Sequence, residues 1–186
     1  PEQYASFNVE TWVESAMRYF TNRNFRVIGD SGKVYGYGRS VWAMIDTETR
    51  QPQDILAIRD GAINDWITAD VECPIDKGSR VKMAHDLPVV RTIDTYYNDV
   101  DVNGHINSVK YIEHVLDLFS IEWYKQYDLR RLEIAYVAES HGGDRLTFRI
   151  QDGTDELEKS ISISKLTENG SNSVEVCRCM VKFVKK

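Results

Sequence analysis

The residues best suited to chemistry are concentrated in one run, which reads Asp-Val-Asp-Val-Asn-Gly-His-Ile-Asn-Ser-Val-Lys-Tyr from Asp99 to Tyr111. Asp101, Asn103 and His105 alternate within it. A carboxylate can accept a proton, an amide can donate to a carbonyl oxygen, and an imidazole titrates near neutral pH. Carboxylate and amide oxygens at such spacing also suit a cation. The elements on either side of the run help to distinguish these chemistries.

A calcium loop is the first interpretation of this run. Its acidic opening and Gly104 fit the early positions of an EF-hand loop, but position twelve is Lys110 in place of the usual bidentate glutamate. An EF-hand also needs a helix before the loop, whereas Val89–Tyr97 is rich in β-branched and aromatic residues and predicts a strand. We therefore assign no metal to the run.

A simple β-hairpin is the second interpretation, because Asn103-Gly104 is a strong turn dipeptide. The residues that follow favour a helix instead, since apolar side chains recur there at three- and four-residue intervals. These side chains are Ile112, Val115, Leu116 and Phe119. Asn107 or Ser108 is a suitable N-cap for this helix. The run is thus predicted to lead from a strand into a helix, whose first N–H groups could face a polar ligand.

A family resemblance supplies the third interpretation. The stretch Asp101-Val-Asn-Gly-His-Ile-Asn-Ser-Val-Lys-Tyr-Ile112 resembles the Asp-x-Asn-x-His-Val-Asn-Asn-x-x-Tyr motif of acyl-ACP thioesterases, which release fatty acids from acyl carrier protein. A second stretch, Leu132-Glu-Ile-Ala-Tyr-Val-Ala-Glu-Ser140, resembles the family's strand that ends in a Glu-Cys pair. Glu139 takes the glutamate position, and Ser140 stands where many plant members carry cysteine. A cysteine nucleophile is therefore excluded at that position.

The resemblance implies a catalytic set of Asp101, Asn103, His105 and Glu139, with no cofactor. Asn103 can polarise the thioester carbonyl, and His105 can donate to the same oxygen or carry a proton. We expect Glu139 to activate water and Asp101 to orient the histidine or the amide. Direct attack by either carboxylate is the open alternative. Tyr111 and His114 are expected to be packing residues, and His85 and His141 are expected at the surface.

The function implied by the resemblance is hydrolysis of fatty acyl-[acyl carrier protein] to free fatty acid. A related enzyme acting on acyl-CoA would share the reaction, and a non-catalytic acyl-binding module would share the fold. Two carboxylates near one carbonyl count against a pure binding pocket, which needs few polar groups. Chain-length preference is not visible in the sequence.

The net charge of the chain restricts the kinds of partner that it can bind. The net charge of -6 argues against a general nucleic-acid binder. Because acyl carrier protein is also acidic, we expect a local basic patch near the site. The candidates are Lys110, Arg130, Arg131 and Arg145.

Two sequence features bear on where the protein resides: its hydrophobic segments and its cysteines. No stretch approaches the ~20 apolar residues of a membrane span, and the chain has no signal-peptide pattern at its start. We expect a cytoplasmic protein. Cys73, Cys177 and Cys179 are expected to be reduced and buried, with no disulfide.

An α+β class is predicted, because strand signals dominate outside one strong helix. The strands are expected near 7–15, 19–28, 34–45, 89–97, 130–139, 144–151, 157–166 and 173–184, and the helix at Asn107–Phe119, which Ile121–Tyr127 could prolong. Asn169-Gly170-Ser171 is read as a hairpin turn.

The resemblance implies a tandem hotdog fold, in which an antiparallel sheet wraps around a central helix. We expect an N-terminal unit at 1–80 and a C-terminal unit at 81–186 that carries the motif. The N-terminal unit is expected to be incomplete, because no room precedes Phe7 for its first strand and central helix. An apolar face left open in this way would favour a homo-oligomer.

Overall fold

The computed structural model describes residues 1–68, 70–78, 80–166 and 173–186. The chain divides into two compact units, Pro1–Gly78 and Ser79–Lys186. The turn predicted at Asn169-Gly170-Ser171 lies outside the described residues. Among the described residues, no helix is both long enough and apolar enough to cross a membrane.

The first unit contains a three-stranded antiparallel sheet in the order β1-β2-β3. Its strands are β1 (Phe7–Ala16), β2 (Phe20–Gly29) and β3 (Val34–Ala43). The predicted strands in this part of the chain are confirmed, with ends that differ by at most two residues. The turn between β2 and β3 uses Gly32 at φ 79°, a backbone conformation that glycine adopts without strain.

A segment of 3-10 turns, Ile55–Trp66, follows the first sheet and was not predicted. The Asp54 side chain caps its start by accepting from the N–H of Leu56. Helical geometry is interrupted at Ile58–Gly61, where three consecutive residues have positive φ. Ile55, Ile58, Ala62 and Trp66 recur in it at three- and four-residue intervals, so the sequence did carry a helical signal, which Gly61 interrupts.

The second unit contains a five-stranded antiparallel sheet in the order β4-β6-β7-β8-β5. Its strands are β4 (Val89–Asp94), β5 (Tyr127–Tyr136), β6 (Arg145–Asp152), β7 (Glu158–Leu166) and β8 (Ser173–Lys185). All five were predicted, but β4 ends three residues earlier than expected, and β5 begins and ends three residues before the predicted 130–139, so Glu139 lies beyond the end of its strand. Tyr97–Asp99 forms a 3-10 turn instead of continuing the strand.

Helix α1 (Ser108–Leu116) begins where the sequence predicted and ends sooner. Asn107 is its N-cap, since its side chain accepts from the N–H of Val109 at 2.9 Å. The expected prolongation is wrong in one respect, because α2 (Ile121–Gln126) is a separate helix. Ser120 caps α2 by accepting from the N–H of Trp123 at 3.1 Å, so the two helices are divided at that serine.

The core of the second unit lies between α1 and the five-stranded sheet. Tyr111 and Val115 are the buried residues of α1, whereas Ile112 and Leu116 are only half-buried. Fully buried side chains of the sheet complete this core: Leu146, Phe148, Ile161, Ile163, Val176, Cys177, Cys179, Val181 and Phe183. Of the apolar residues predicted to line the helix, Val115 is thus confirmed in the core and Phe119 packs against it, while Tyr111 takes the place expected of Ile112 and Leu116.

Candidate active site

The residues from Val100 to Ile106 form a tight loop directly before α1. Val100 and Ile106 form an antiparallel bridge, and the N–H of Asp101 donates to the carbonyl of His105 at 2.8 Å. Gly104 has φ 82°, which allows the chain to reverse between these residues. The predicted turn at Asn103-Gly104 is therefore present, and it leads into a helix rather than into a second long strand.

The Asp101 carboxylate holds this loop together. One of its oxygens, Oδ1, accepts from the N–H of Asn103 at 2.8 Å and from the N–H of His105 at 3.1 Å. The Asn103 N–H bond is the main reason that the pKa of Asp101 lies below its ordinary value, and the His105 N–H bond, the His105 charge and the Asn103 side chain lower it further. Asp101 is thus bound to the backbone that carries His105.

His105 and Glu139 are brought together by two chain segments that meet side by side. The N–H of Ile106 donates to the carbonyl of Ser140 at 2.8 Å, and His105 forms a backbone bridge with His141. As a result, Nε2 of His105 lies 3.5 Å from Oε2 of Glu139. Both side chains remain partly exposed, so a substrate can reach them.

A cavity of about 250 Å³ opens beside this pair. Asp101, His105 and Glu139 line it, and Asn103 is exposed at the tip of the loop, outside the lining. The other lining residues are Ile106, Asn107, Ser108, Tyr111, Tyr136, Ala138 and Ser140. Three of the four residues singled out from the sequence therefore share one cavity, and the fourth lies on the same loop.

Tyr111 packs in the core, as expected, and it also lines this cavity. Its hydroxyl is hydrogen-bonded to Oγ of Ser140, and its ring lies 5.9 Å from that of Tyr136. Burial raises the pKa of Tyr111, so the phenol stays protonated at neutral pH. Tyr111 belongs to the family motif, but the sequence favoured a packing role for it over a role in the site.

His114 and His141 make more specific contacts than expected. Nε2 of His114 lies 2.9 Å from Oδ1 of Asp99, whose other oxygen accepts from the N–H of Tyr96 at 2.8 Å. His141 is exposed, as expected, but its ring meets the edge of the His105 ring at a centroid distance of 5.0 Å. Sequence spacing could not reveal either contact, because the partners come from separate segments.

Most of the expected basic patch is engaged in local ion pairs. Lys110 contacts Glu113 at 2.7 Å, Arg131 contacts Glu133 at 2.6 Å and Arg145 contacts Asp94 at 2.7 Å. Arg130 is exposed. Among the described residues, no group of three or more histidine, cysteine, aspartate or glutamate side chains is arranged to hold a metal.

Two family models match the chain, in the order that a tandem fold requires. Residues 82–183 match the acyl-ACP thioesterase C-terminal domain, and residues 1–58 match the acyl-ACP thioesterase N-terminal domain. The cavity and its lining residues lie within the first of these matches.

Curated relatives include plant proteins. The palmitoyl-acyl carrier protein thioesterase of Gossypium hirsutum is 27% identical over 135 residues, covering 70% of this chain and 33% of the relative. The acyl-[acyl-carrier-protein] hydrolase FATB3 of Cuphea viscosissima is 30% identical over 144 residues, covering 72% and 33%. The chain spans about a third of the length of these relatives.

Solved structures agree with these matches. An acyl-ACP thioesterase from Bacteroides thetaiotaomicron is 48% identical with a TM-score of 0.86, covering 98% of this chain and 70% of that chain. The 12:0-ACP thioesterase from Umbellularia californica has a TM-score of 0.78 at 19% identity, which supports the fold alone, over 96% of this chain and 67% of that chain. The predicted hotdog fold is confirmed, and the chain belongs to the acyl-ACP thioesterase family.

Proposed function

We propose that this chain hydrolyses the thioester of a fatty acyl-[acyl carrier protein], giving a free fatty acid and the thiol of the carrier. The observation that carries the proposal is the 3.5 Å contact between His105 and Glu139 at the wall of the cavity. The contact joins an imidazole and a carboxylate, which are suited to proton transfer in hydrolysis. The names of the plant and bacterial relatives support acyl carrier protein as the carrier.

Water is the nucleophile in the proposed reaction. Glu139 takes a proton from water as the water oxygen bonds to the carbonyl carbon. The tetrahedral intermediate then collapses, the C–S bond breaks, and the departing thiolate receives a proton through His105. Contact between the two side chains lets the proton taken up by Glu139 return by way of the imidazole.

Asn103 and Asp101 take supporting roles in this proposal. Asn103 is exposed beside the cavity, so its amide is accessible to the carbonyl oxygen of a bound thioester, where negative charge develops. Asp101 accepts from two backbone N–H groups of the loop and thereby fixes the positions of Asn103 and His105. Its commitment to the backbone favours an orienting role over direct attack.

The domain division and the location belong to the same proposal. We place an N-terminal hotdog unit at 1–80 and the catalytic hotdog unit at 81–186, in line with the two family matches. A cytoplasmic location is supported by the three cysteines, which are free and buried, because a reducing compartment keeps thiols in that state.

Rates measured on acyl-ACP and acyl-CoA carrying the same acyl chain test the proposal. We expect a higher kcat/KM for acyl-ACP, with free fatty acid and carrier thiol formed in equal amounts. A strong preference for acyl-CoA would replace the proposed substrate with its nearest rival. Tight acyl binding without turnover on either carrier would instead support a binding module.

A further inference from the structure

We infer that the hydrogen bond between the hydroxyls of Tyr111 and Ser140 sets the separation of His105 and Glu139. Tyr111 and Ser140 are thus positioning residues for hydrolysis, and Ser140 is not a nucleophile. The inference rests on the proposed function, because it concerns the same cavity.

Ser140 is tied to its surroundings at two polar atoms. Its carbonyl accepts from the N–H of Ile106 at 2.8 Å, and its Oγ is bonded to the Tyr111 hydroxyl. His105 directly precedes Ile106, and Glu139 directly precedes Ser140. A shift of Ser140 therefore moves Glu139 relative to His105, and its two hydrogen bonds oppose that shift.

Tyr111 provides a firm attachment for Ser140. It lies in the first turn of α1 and is only 4% exposed. The neighbouring Tyr136 ring packs against it, and the Tyr136 hydroxyl donates to the carbonyl of Ser108 at 3.0 Å. Because α1 starts directly after the catalytic loop, the bond connects the helix that follows His105 with the segment that carries Glu139.

A nucleophilic role does not suit the surroundings of Ser140. A serine nucleophile needs a general base within hydrogen-bond reach to take its proton. Oγ of Ser140 is instead bonded to a phenol, whose pKa is raised by burial and which therefore stays protonated. Ser140 is also only 1% exposed. The imidazole of His105, which could act as a general base, contacts Glu139 instead.

Two single variants and their combination test the inference. Tyr111→Phe and Ser140→Ala each remove one hydroxyl and should lower kcat about 10- to 100-fold through misplacement of the pair, with KM changed less. Because both remove the same bond, the double variant should be no slower than the worse single variant. Ser140→Cys, which keeps a weak hydrogen-bonding group, should restore part of kcat.

Tyr124→Phe is the matched control. The Tyr124 hydroxyl donates to the carbonyl of Leu116 at 2.8 Å, and Tyr124 is not among the residues that line the cavity. Its loss should lower thermal stability without changing kcat. Imidazole resonances of His105 in NMR spectra provide a second readout, which should shift in Tyr111→Phe and Ser140→Ala and stay in place in Tyr124→Phe.

Results that would overturn the inference differ from those that would contradict the proposed function. Wild-type kcat and unmoved His105 resonances in both single variants would overturn the inference and leave the proposed function intact. An acyl adduct on Ser140, detected by mass spectrometry, would also overturn it by making Ser140 a nucleophile. A wild-type protein with no turnover would contradict the proposed function, and the His105 resonances would still test the geometric link.

Discussion

At the scale of single residues, the polar side chains of the site divide into those that hold the loop together and those that are proposed to act on the substrate. Asp101 accepts from the backbone at Asn103 and His105. Asp99, two residues before Asp101, also holds the loop, because its side chain contacts His114 and its carbonyl accepts from the N–H of Asn107 at 2.7 Å. Asn103, His105 and Glu139 are the side chains that we propose to act on the substrate.

Asn103→Ala tests the amide as a carbonyl donor. We expect kcat to fall about 10²- to 10³-fold, because one oxyanion donor is lost. Thermal stability should change little, since the side chain is exposed. Steady-state hydrolysis and a thermal melt measure the two effects. A kcat within twofold of wild type would remove Asn103 from the proposed machinery.

The Asp101 carboxylate should stay ionised at a lower pH than an ordinary aspartate does. Because its pKa in the folded chain lies below the ordinary value of 3.8, the ionised carboxylate stabilises the loop above that pH, and this contribution disappears as the pH falls through the lowered pKa. A ¹³C NMR titration of the Asp101 carboxyl should therefore have its midpoint below 3.8. A midpoint above that value would mean that the loop bonds to Asn103 and His105 are weaker than described.

At the scale of elements, the loop that carries Asp101, Asn103 and His105 depends on a backbone reversal followed at once by a helix. Gly104 supplies the reversal at φ 82°, and Asn107 caps α1. The bridge between Val100 and Ile106 closes the loop. The geometry of the candidate site is therefore set by local backbone conformation as well as by the side chains.

Gly104→Ala tests this dependence. An added Cβ would meet no atom within 4 Å, so its effect comes from the positive φ alone and should cost about 1 kcal/mol of unfolding free energy. We expect kcat to fall as well, because the loop must relax. Gly36→Ala is the control, since its Cβ is equally unobstructed and its φ is not positive. Equal effects of the two changes in urea unfolding and hydrolysis would contradict the prediction.

The sequence predicted the elements better than the contacts between them. Alternation and helical spacing located the eight strands and α1, because those patterns are local. The break at Ser120 was missed because the apolar spacing continues across it, although the serine caps α2. The bond from Tyr111 to Ser140 and the contact of His114 with Asp99 join distant segments, so no local pattern could report them.

At the scale of the whole molecule, the chain forms two units, and the second one contains all of the described site. The core of that unit holds α1 against β6, β7 and β8. The homo-oligomer expected from the sequence stays a prediction. Light scattering of the purified protein would measure the mass of the particle in solution and so give the number of chains in it.

Buried thiols offer a test of the core of the second unit. Burial raises the pKa of Cys179 from 9.0 to about 12 and that of Cys177 still higher. Both thiols should thus stay protonated and unreactive toward Ellman's reagent at pH 8 in the folded chain, and react after denaturation. Their contribution to stability is complete below the unfolded pKa and decreases as the pH rises above it. Rapid labelling of both thiols in the native protein would contradict this packing.

The contact between His105 and Glu139 supports the central claim, and Glu139→Gln tests it most directly. This change keeps the size of a partly exposed side chain and removes its ability to accept a proton from water. Hydrolysis of acyl-ACP should fall at least about 10²-fold in kcat, with the melting temperature unchanged. Turnover at the wild-type rate would show that Glu139 does not activate water and would contradict the account.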